Sequence, residues 1–250
     1  MAELRPNRIK RKLAEGGVAT VPAGVNTPDM IDLMGPWGFD GFWIEAEHGP
    51  VDFGDIADLT RACDLWGVTS IVRVNRVEPG IIYRTLDQGA QGIVVPHVNT
   101  ADEARQIVDA AKFAPIGHRG MFGSRQGYGV DDYLNKANDE TLIVILVEDI
   151  RAVHNLPELL EVDHIDVFFV APSDLGQSMG ILDSTAPEIR ELTEKTIRQI
   201  TAAGRVAGTL AFSSDAAHWI DVGARFLHPP WTPWLEAGAR EFLTSAGNAP

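Results

Sequence analysis

The sequence contains little cysteine and lysine, and it has no long apolar run. Its single cysteine, Cys63, cannot form a disulfide within the chain, so we expect a reducing compartment such as the cytoplasm. The basic residues near the N-terminus are not followed by an apolar block, and we expect no secretory leader. No stretch approaches the roughly 18 to 20 apolar residues of a membrane-spanning helix. These absences favour a soluble protein.

Positive charge is also scarce. Lys and Arg number 21 against 35 Asp and Glu, which leaves a net charge of -14. Because nucleic acids and anionic membranes bind to clustered Lys and Arg, neither is an expected partner. Enzymes that form a Schiff base need a desolvated lysine in the pocket, and that mechanism is disfavoured here. All five lysines lie in the N-terminal arm or in helical segments: Lys10, Lys12, Lys112, Lys136 and Lys195.

What the chain does contain is an alternation of short β-branched or aromatic runs with amphipathic stretches. This alternation is typical of βα units with a parallel sheet, and 250 residues is a usual length for a one-domain barrel. No GxGxxG motif follows the first run, so a dinucleotide-binding fold loses its main support. We therefore predict an α/β fold, a single-domain (β/α)8 TIM barrel over residues 1–250, with a last helix at about 231–246. The predicted strands are 18–25, 41–48, 69–75, 91–98, 142–149, 166–173, 206–213 and 224–230.

One segment, residues 117–129, interrupts this alternation. It is long, rich in glycine and carries arginine, and a loop of that length in a compact domain is usually functional or mobile. Arg119 in this segment is therefore a candidate for shaping a pocket. Phe212 and Trp231, near the ends of the last two predicted strands, are further candidates, and core packing is the competing interpretation of both.

Ionisable residues stand at the C-terminal ends of five predicted strands, although buried parallel strands should be apolar. Their spacing is about one βα unit, with 25 residues from His48 to Arg73, 24 from Arg73 to His97 and 26 from Glu148 to Asp174. Equivalent positions in successive units converge at one rim of a barrel, which is where barrel active sites lie. The pattern predicts one site at the rim where the ionisable strand-end residues converge, namely Glu47, His48, Arg73, His97, Glu148, Asp149 and Asp174.

The chemistry of this set favours a divalent cation and a 2-oxo acid. Glu148 and Asp174 offer two hard oxygen ligands, which suit Mg, Mn or Co completed by water and substrate. A bound 2-oxo acid could then lose a neighbouring carbon-carbon bond, since the metal stabilises the resulting enolate. Arg73 would hold the negative oxygen or the carboxylate. His48 is the expected proton shuttle, because the unperturbed pKa of histidine lies near neutrality.

Each residue taken singly also has a simpler interpretation. Asp174 could cap a helix or form an ion pair, Arg73 could pair with Glu47, and His97 could be structural or line a pocket. The occurrence of four such residues at one rim favours a functional site over separate accidents.

Around these residues the sequence resembles the HpcH/HpaI aldolase family of metal-dependent pyruvate aldolases. The similarity runs from about residue 14 to residue 223. It implies that Glu148 and Asp174 are the metal ligands, that Arg73 contacts a pyruvate oxygen and that His48 is the acid-base residue. Its most specific pieces are GFDGFWIEAEH, IVRVN, LDQGAQGIVVPHVNTADEAR, GHRG, the Glu of VED, and FVAPSDL.

The resemblance also implies contributions from other subunits. Asp87, in LDQG, occupies the position of an aspartate that pairs with the histidine of a neighbouring subunit. Backbone amides around Ser173 and Asp174 would bind the pyruvate carboxylate. Family members are typically hexamers in which the last helix packs on a neighbour, so we expect a homo-oligomer.

Several positions depart from the family pattern. Leu146 stands where a Gln is common, Glu45 replaces the usual Asp, Ala46 replaces a Gly, and HPPWTPW follows the last strand. None of these changes affects Glu148 or Asp174. The identity of the aldehyde, and that of the 2-oxo acid, stays open.

We predict a class II aldolase that reversibly cleaves a 4-hydroxy-2-oxo acid to pyruvate, or a related 2-oxo acid, plus an aldehyde. Two alternatives remain at this point. An acyl-CoA carbon-carbon lyase, as among the citrate-lyase-like relatives, would share the arginine and the acidic pair but would bind CoA. A non-catalytic, metal-dependent binder of 2-oxo acids is the other, and Leu146 is its best hint.

Overall fold

The computed structural model describes residues 2–248. Within them, eight strands form one parallel sheet in the order β1-β8-β7-β6-β5-β4-β3-β2, and all eight fall inside the predicted runs. The strands are β1 (Ala19–Thr20), β2 (Gly41–Glu45), β3 (Thr69–Arg73), β4 (Gly92–Val95), β5 (Leu142–Val147), β6 (Val167–Val170), β7 (Ala207–Leu210) and β8 (Phe226–His228).

The sheet closes on itself between its first and last members. The backbone N–H of Asp40 donates to the Thr20 carbonyl at 3.0 Å, and that of Trp43 donates to the Pro22 carbonyl at 3.2 Å. The backbone N–H of Val25 then donates to the Trp43 carbonyl at 3.3 Å. These bonds join β1 and its extension to β2, and the predicted (β/α)8 barrel is confirmed.

Helices connect the strands, and several begin at residues suited to capping. Asp52 and Thr100 form capping boxes with Asp55 and Glu103, which satisfy backbone N–H groups at the start of two helices. The helices are α1 (Arg8–Ala14), α2 (Pro28–Met34), α3 (Phe53–Trp66), α4 (Pro79–Asp87), α5 (Ala101–Ala111), α6 (Tyr133–Glu140), α7 (Ile150–His154), α8 (Leu156–Leu160), α9 (Pro172–Ser178), α10 (Pro187–Ala202), α11 (Ala216–Val222) and α12 (Thr232–Ser245).

Alternation along the strands divides the core into an inner and an outer layer. On β5, Val144 and Leu146 pack inside the barrel, whereas Ile143, Ile145 and Val147 pack against the helices. The same alternation holds on the neighbouring strands, because successive side chains of a strand point to opposite faces. The inner layer includes Trp43, Ile71, Val94, Val144, Leu146, Val167, Phe169 and Phe226.

The glycine-rich segment 117–129 lies at the opposite end of the barrel from the carboxyl ends of the strands. It leads from the end of α5 towards the start of β5, and Arg119 forms an ion pair of 2.7 Å with Asp87 at the end of α4. The side chain of Arg119 is 2% exposed. The expectation that Arg119 shapes the pocket of its own chain is therefore wrong, because a helix that follows a parallel strand returns the chain to the other end.

The last helix, α12, packs on the barrel only at its beginning. Trp234 stacks on Phe39 with ring centroids 5.8 Å apart, while Leu235 and Phe242 remain largely exposed and no residue of α12 is buried. Among the helices within residues 2–248, none is both long and apolar enough to cross a membrane.

Candidate active site

The inward register of the strands brings charged side chains together at the carboxyl ends of β2, β3 and β5. Glu45 and Glu47 continue the inner series of Trp43, Arg73 continues that of Ile71, and Glu148 continues that of Leu146. The structure thus places Glu47, Arg73 and Glu148 at one rim, as the sequence predicted.

Arg73 is held by two carboxylates. Its Nε and Nη2 each lie 2.7 Å from Oε2 of Glu45, and its Nη1 lies 3.1 Å from Oε2 of Glu47. Burial opposes ionisation of Glu45, but hydrogen bonding to Arg73, the charge of Arg73 and backbone N–H donors outweigh burial and lower the pKa of Glu45. For Glu47 burial prevails and raises the pKa. Glu47 contacts only Nη1 of the guanidinium, whereas Glu45 contacts the other two nitrogen atoms.

Glu148 is the most buried acid of the rim, with a side chain that is 2% exposed. Its Oε1 accepts the backbone N–H of His97 at 2.6 Å and lies 3.1 Å from the ring Nδ1 of His97. Burial raises the pKa of Glu148, the contacts with His97 lower it, and the negative charges of Asp174 and Glu47 raise it further. The net shift is upward, because the contacts with His97 do not offset burial and the two negative charges.

Asp174 lies in the first turn of α9, directly after β6. The N-cap of α9 is Ala171, and the Asp174 side chain forms neither a cap nor an ion pair within residues 2–248. Both simpler interpretations of Asp174 therefore lose their support. The carboxylate lies close enough to Glu148 to raise its pKa, and the neighbouring Ser173 is exposed.

Two histidines stand at the outer edge of this cluster. The ring of His48 is 69% exposed and its Nε2 is 3.9 Å from Oε2 of Glu47. The ring of His97 is 63% exposed, and its backbone adopts a positive φ of 55° that is uncommon outside glycine. This conformation directs both the backbone N–H and the ring of His97 to Glu148.

The remaining predicted residues lie in different places. Phe212 follows β7 at the rim and is 43% exposed, so it is available to a pocket. Trp231 packs against the core layer between β2 and the helices α2 and α3, which supports the core interpretation for that residue. Asp87 lies at the end of α4 beside Arg119, away from His48 of the same chain. A role for Asp87 at the rim would require another subunit.

The cluster contains two further residues, Glu45 and His228, that the strand-end spacing does not predict. In the sequence Glu45 stands out only as a replacement for the usual Asp. His228 packs on Trp43 and Phe169 with ring centroids 4.0 and 5.7 Å away, and its Nδ1 is 2.9 Å from the Val21 carbonyl. Burial lowers its pKa to about 4. Period-two alternation from Trp43 and from Phe226 would have identified both residues.

Comparison with known proteins agrees with this geometry. Residues 23–225 match the model of the family described as HpcH/HpaI aldolase/citrate lyase. A 2-keto-3-deoxy-L-rhamnonate aldolase of Escherichia coli is 34% identical over 224 residues, which cover 87% of this chain and 84% of that protein. An HpcH/HpaI aldolase from Desulfitobacterium hafniense has a similar structure, with a TM-score of 0.86 and 26% identity over 96% of this chain and 97% of the other.

A second similar structure is an HpcH/HpaI aldolase/citrate lyase family protein from Burkholderia cenocepacia. Its TM-score is 0.89 at 26% identity, over 96% of this chain and 99% of the other. The matched family, the similar proteins and the barrel fold all agree with a site formed by the carboxylates and the arginine at the rim. The chain therefore belongs to the HpcH/HpaI aldolase/citrate lyase family, and it is a carbon-carbon lyase of the aldolase type.

Proposed function

We propose that this aldolase cleaves the bond between carbons 3 and 4 of a 4-hydroxy-2-oxo acid, with a divalent cation held by Glu148 and Asp174. The products are pyruvate, or a related 2-oxo acid, and an aldehyde. The observation that carries the proposal is that Glu148 lies close to Asp174 and to Glu47, and that Glu47 pairs with the guanidinium of Arg73 at the same rim. Since the E. coli relative is named for a 2-keto-3-deoxy sugar acid, we propose a substrate of that class.

The electrostatics of the rim fit a cation. Four acids lie at the rim, and among the described residues Arg73 pairs with only two of them, Glu45 and Glu47. Burial and the charges of Asp174 and Glu47 raise the pKa of Glu148. Within residues 2–248 no three His, Cys, Asp or Glu side chains form a metal-binding group, so water and substrate would supply the other ligands. When bound, Mg, Mn or Co would withdraw electron density from the 2-oxo acid and stabilise its enolate.

Arg73 binds the oxygen on which negative charge develops. The three nitrogen atoms of its guanidinium are already oriented by Glu45 and Glu47. A donor that is oriented before the reaction stabilises developing charge without reorganisation. Arg73 thereby lowers the barrier to both cleavage and condensation.

His48 moves the proton of the hydroxyl on carbon 4. Its ring is exposed at the rim, so it is accessible to a substrate that enters from solvent. We propose that Asp87 of a neighbouring subunit orients this ring, as the family resemblance implies. The backbone N–H groups of Ser173 and Asp174 lie in the first turn of α9, lack intrahelical acceptors, and would bind the substrate carboxylate. Phe212 would face the aldehyde portion.

The first test removes the cation and then its ligands. A chelator should abolish pyruvate release from 4-hydroxy-2-oxo acids, and Mn or Mg should restore it. Glu148→Gln and Asp174→Asn should each lower kcat by about 100-fold or more, because each removes an anionic ligand, without a change in far-UV circular dichroism.

Asp149→Asn is the matched control for this test. Asp149 follows Glu148, but its carboxylate caps α7 and pairs with Arg151 at 3.1 Å, so this variant should retain activity. Full turnover in chelator, or normal kcat in Glu148→Gln, would contradict the metal assignment.

A further inference from the structure

Glu45 forms more polar contacts than any other acid of the rim described above. Its Oε2 accepts from Nε of Arg73 at 2.7 Å and from Nε1 of Trp43 at 3.3 Å. Its Oε1 accepts the backbone N–H groups of Glu47 at 2.8 Å and of His48 at 3.0 Å. One carboxylate therefore contacts both the guanidinium and the turn that carries the proposed acid-base residue.

Glu47 contacts the same guanidinium in a different way. It reaches Nη1 of Arg73 at 3.1 Å, and within residues 2–248 its carboxylate accepts no backbone N–H. Removal of Glu47 would leave the turn anchored, whereas removal of Glu45 would release both the turn and two nitrogens of Arg73. Glu45 thus has a function at the rim that Glu47 does not duplicate.

The environment of Glu45 is suited to this function. The side chains of Glu45 and Arg73 are 12% and 15% exposed, so water competes weakly for their hydrogen bonds. The pair is charge-assisted, and Nε and Nη2 of Arg73 both lie 2.7 Å from the same oxygen, Oε2, which restricts the orientation of the guanidinium. A Gln at this position would retain one acceptor oxygen, and its amide nitrogen could accept from neither group.

We infer that Glu45 is a positioning residue that holds Arg73 and the backbone of His48 in a single arrangement. The inference rests on the proposed function, because it assigns Glu45 to the reaction in which these two residues act. It predicts that loss of Glu45 weakens stabilisation of the enolate and leaves the metal site intact, since Glu45 contacts neither Glu148 nor Asp174.

The experiment compares Glu45→Gln with the wild type in Mn-loaded enzyme. Oxalate, a planar dianion of about the size of the pyruvate enolate, serves as the probe in calorimetric titrations. We expect kcat and oxalate affinity to fall about tenfold or more, as for other supporting residues of metal sites. Affinity for Mn should stay within about threefold of the wild type, because Glu45 forms no hydrogen bond with Glu148 or Asp174 and so does not orient the proposed ligands. A general collapse of the site would reduce Mn affinity as well and would overturn the inference.

A double-mutant cycle with Arg73→Lys tests whether Glu45 acts through Arg73. Lysine lacks the planar fork, so Glu45→Gln should have a much smaller effect on oxalate affinity in that background. Equal effects in both backgrounds would overturn the inference. If Glu45→Gln does not fold, Glu45→Ala replaces it. This variant removes both acceptor oxygens, and wild-type kcat and oxalate affinity in it would also overturn the inference.

The same titrations separate this inference from the proposed function. If wild-type enzyme binds no oxalate in the presence of Mn, the proposed function fails. If the wild type binds oxalate and Glu45→Gln binds it equally well, only the role of Glu45 fails.

Discussion

At the scale of single residues, the rim is determined by which strand positions point inward. Positions 45, 47, 73 and 148 continue inner-layer series that would ordinarily be apolar, and each carries a charge instead. Burial of a charge is costly unless it is paired, and Arg73 compensates for Glu45 and Glu47. Within residues 2–248 no arginine or lysine pairs with Glu148, whose nearest basic group is the exposed ring of His97, and this position therefore favours a ligand over a structural ion pair.

His228 is an inner-layer residue with a neutral ring. Because the Val21 carbonyl can only accept, Nδ1 of His228 carries the proton and donates to it. The ring also lies among Trp43 and Phe169, so protonation would place a charge in an apolar environment. The lowered pKa of about 4 follows from this burial.

We expect His228 to make stability depend on pH. Between pH 6.5 and 4 the unfolded chain binds a proton at His228 that the folded chain does not, so the free energy of unfolding decreases as the pH falls through this window. From pH 7 to pH 5 the loss is about 2 kcal/mol. Urea unfolding at pH 7 and at pH 5 measures this loss of free energy of unfolding. In His228→Gln the loss should be smaller than in the wild type by about 2 kcal/mol. An identical pH dependence in the two proteins would refute the assignment.

At the scale of elements, the glycine-rich segment 117–129 is fixed to the helices α3 and α4. Arg125 pairs with Asp64 at 2.6 Å and donates to Thr60 at 2.9 Å, and it lies against Gly89 just after α4. Gly89 has a positive φ of 102°, and a Cβ there would meet the guanidinium of Arg125. The glycine is thus required both for the backbone conformation and for the packing of the segment.

Gly89→Ala should destabilise the protein by about 1 to 2 kcal/mol for the backbone alone, with an additional cost for displacing Arg125. The free energy of unfolding in urea provides the measurement. Gly120→Ala is the matched control within the segment, since its φ is not positive and a Cβ there meets open space. Equal stability of the two variants would show that Arg125 does not anchor the segment.

The other exposed element is α12. Leu235 and Phe242 are 61% and 72% exposed, and a helix with such a face buries little against its own chain. We predict that this face packs on a neighbouring subunit. Phe242→Ser should reduce the molar mass measured by light scattering after size-exclusion chromatography, whereas Glu241→Gln on the same helix should not. An unchanged assembly in Phe242→Ser would count against this packing.

At the scale of the whole molecule, the barrel separates two groups of residues proposed to act together. Glu148, Asp174, Arg73 and His48 occupy the carboxyl end of the sheet, and Asp87 occupies the other. A barrel cannot bring its two ends together, so Asp87 can reach His48 only from another copy of the chain. The proposed role of Asp87 therefore requires an oligomer.

Subunit complementation tests this requirement. Asp87→Asn and Glu148→Gln should each be inactive alone, whereas co-expressed subunits should recover about one quarter of wild-type activity, because a quarter of the sites receive both intact residues from different chains. A mixture of Glu148→Gln and Asp174→Asn should recover nothing, since both of those residues belong to one chain. No recovery in the first mixture would place the function of Asp87 elsewhere.

The sequence alone was sufficient for the barrel, its eight strands and the placement of Arg73, Glu148 and Asp174 at one rim. Strand alternation and the spacing of one βα unit are local properties, and in a closed parallel barrel they determine which positions meet at the rim. The direction of α5 also implies the position of the segment 117–129, although its arginine content suggests a place at the pocket.

Other features depended on contacts between distant parts of the chain, and only the tertiary structure decided them. The two-sided contact of Glu45, the apolar packing around His228 and the ion pair of Asp87 with Arg119 each join side chains from different βα units. Sequence spacing shows that such residues share an end of the barrel. It does not determine which donor meets which acceptor, because rotamers and loop conformations are selected by packing after the barrel has closed.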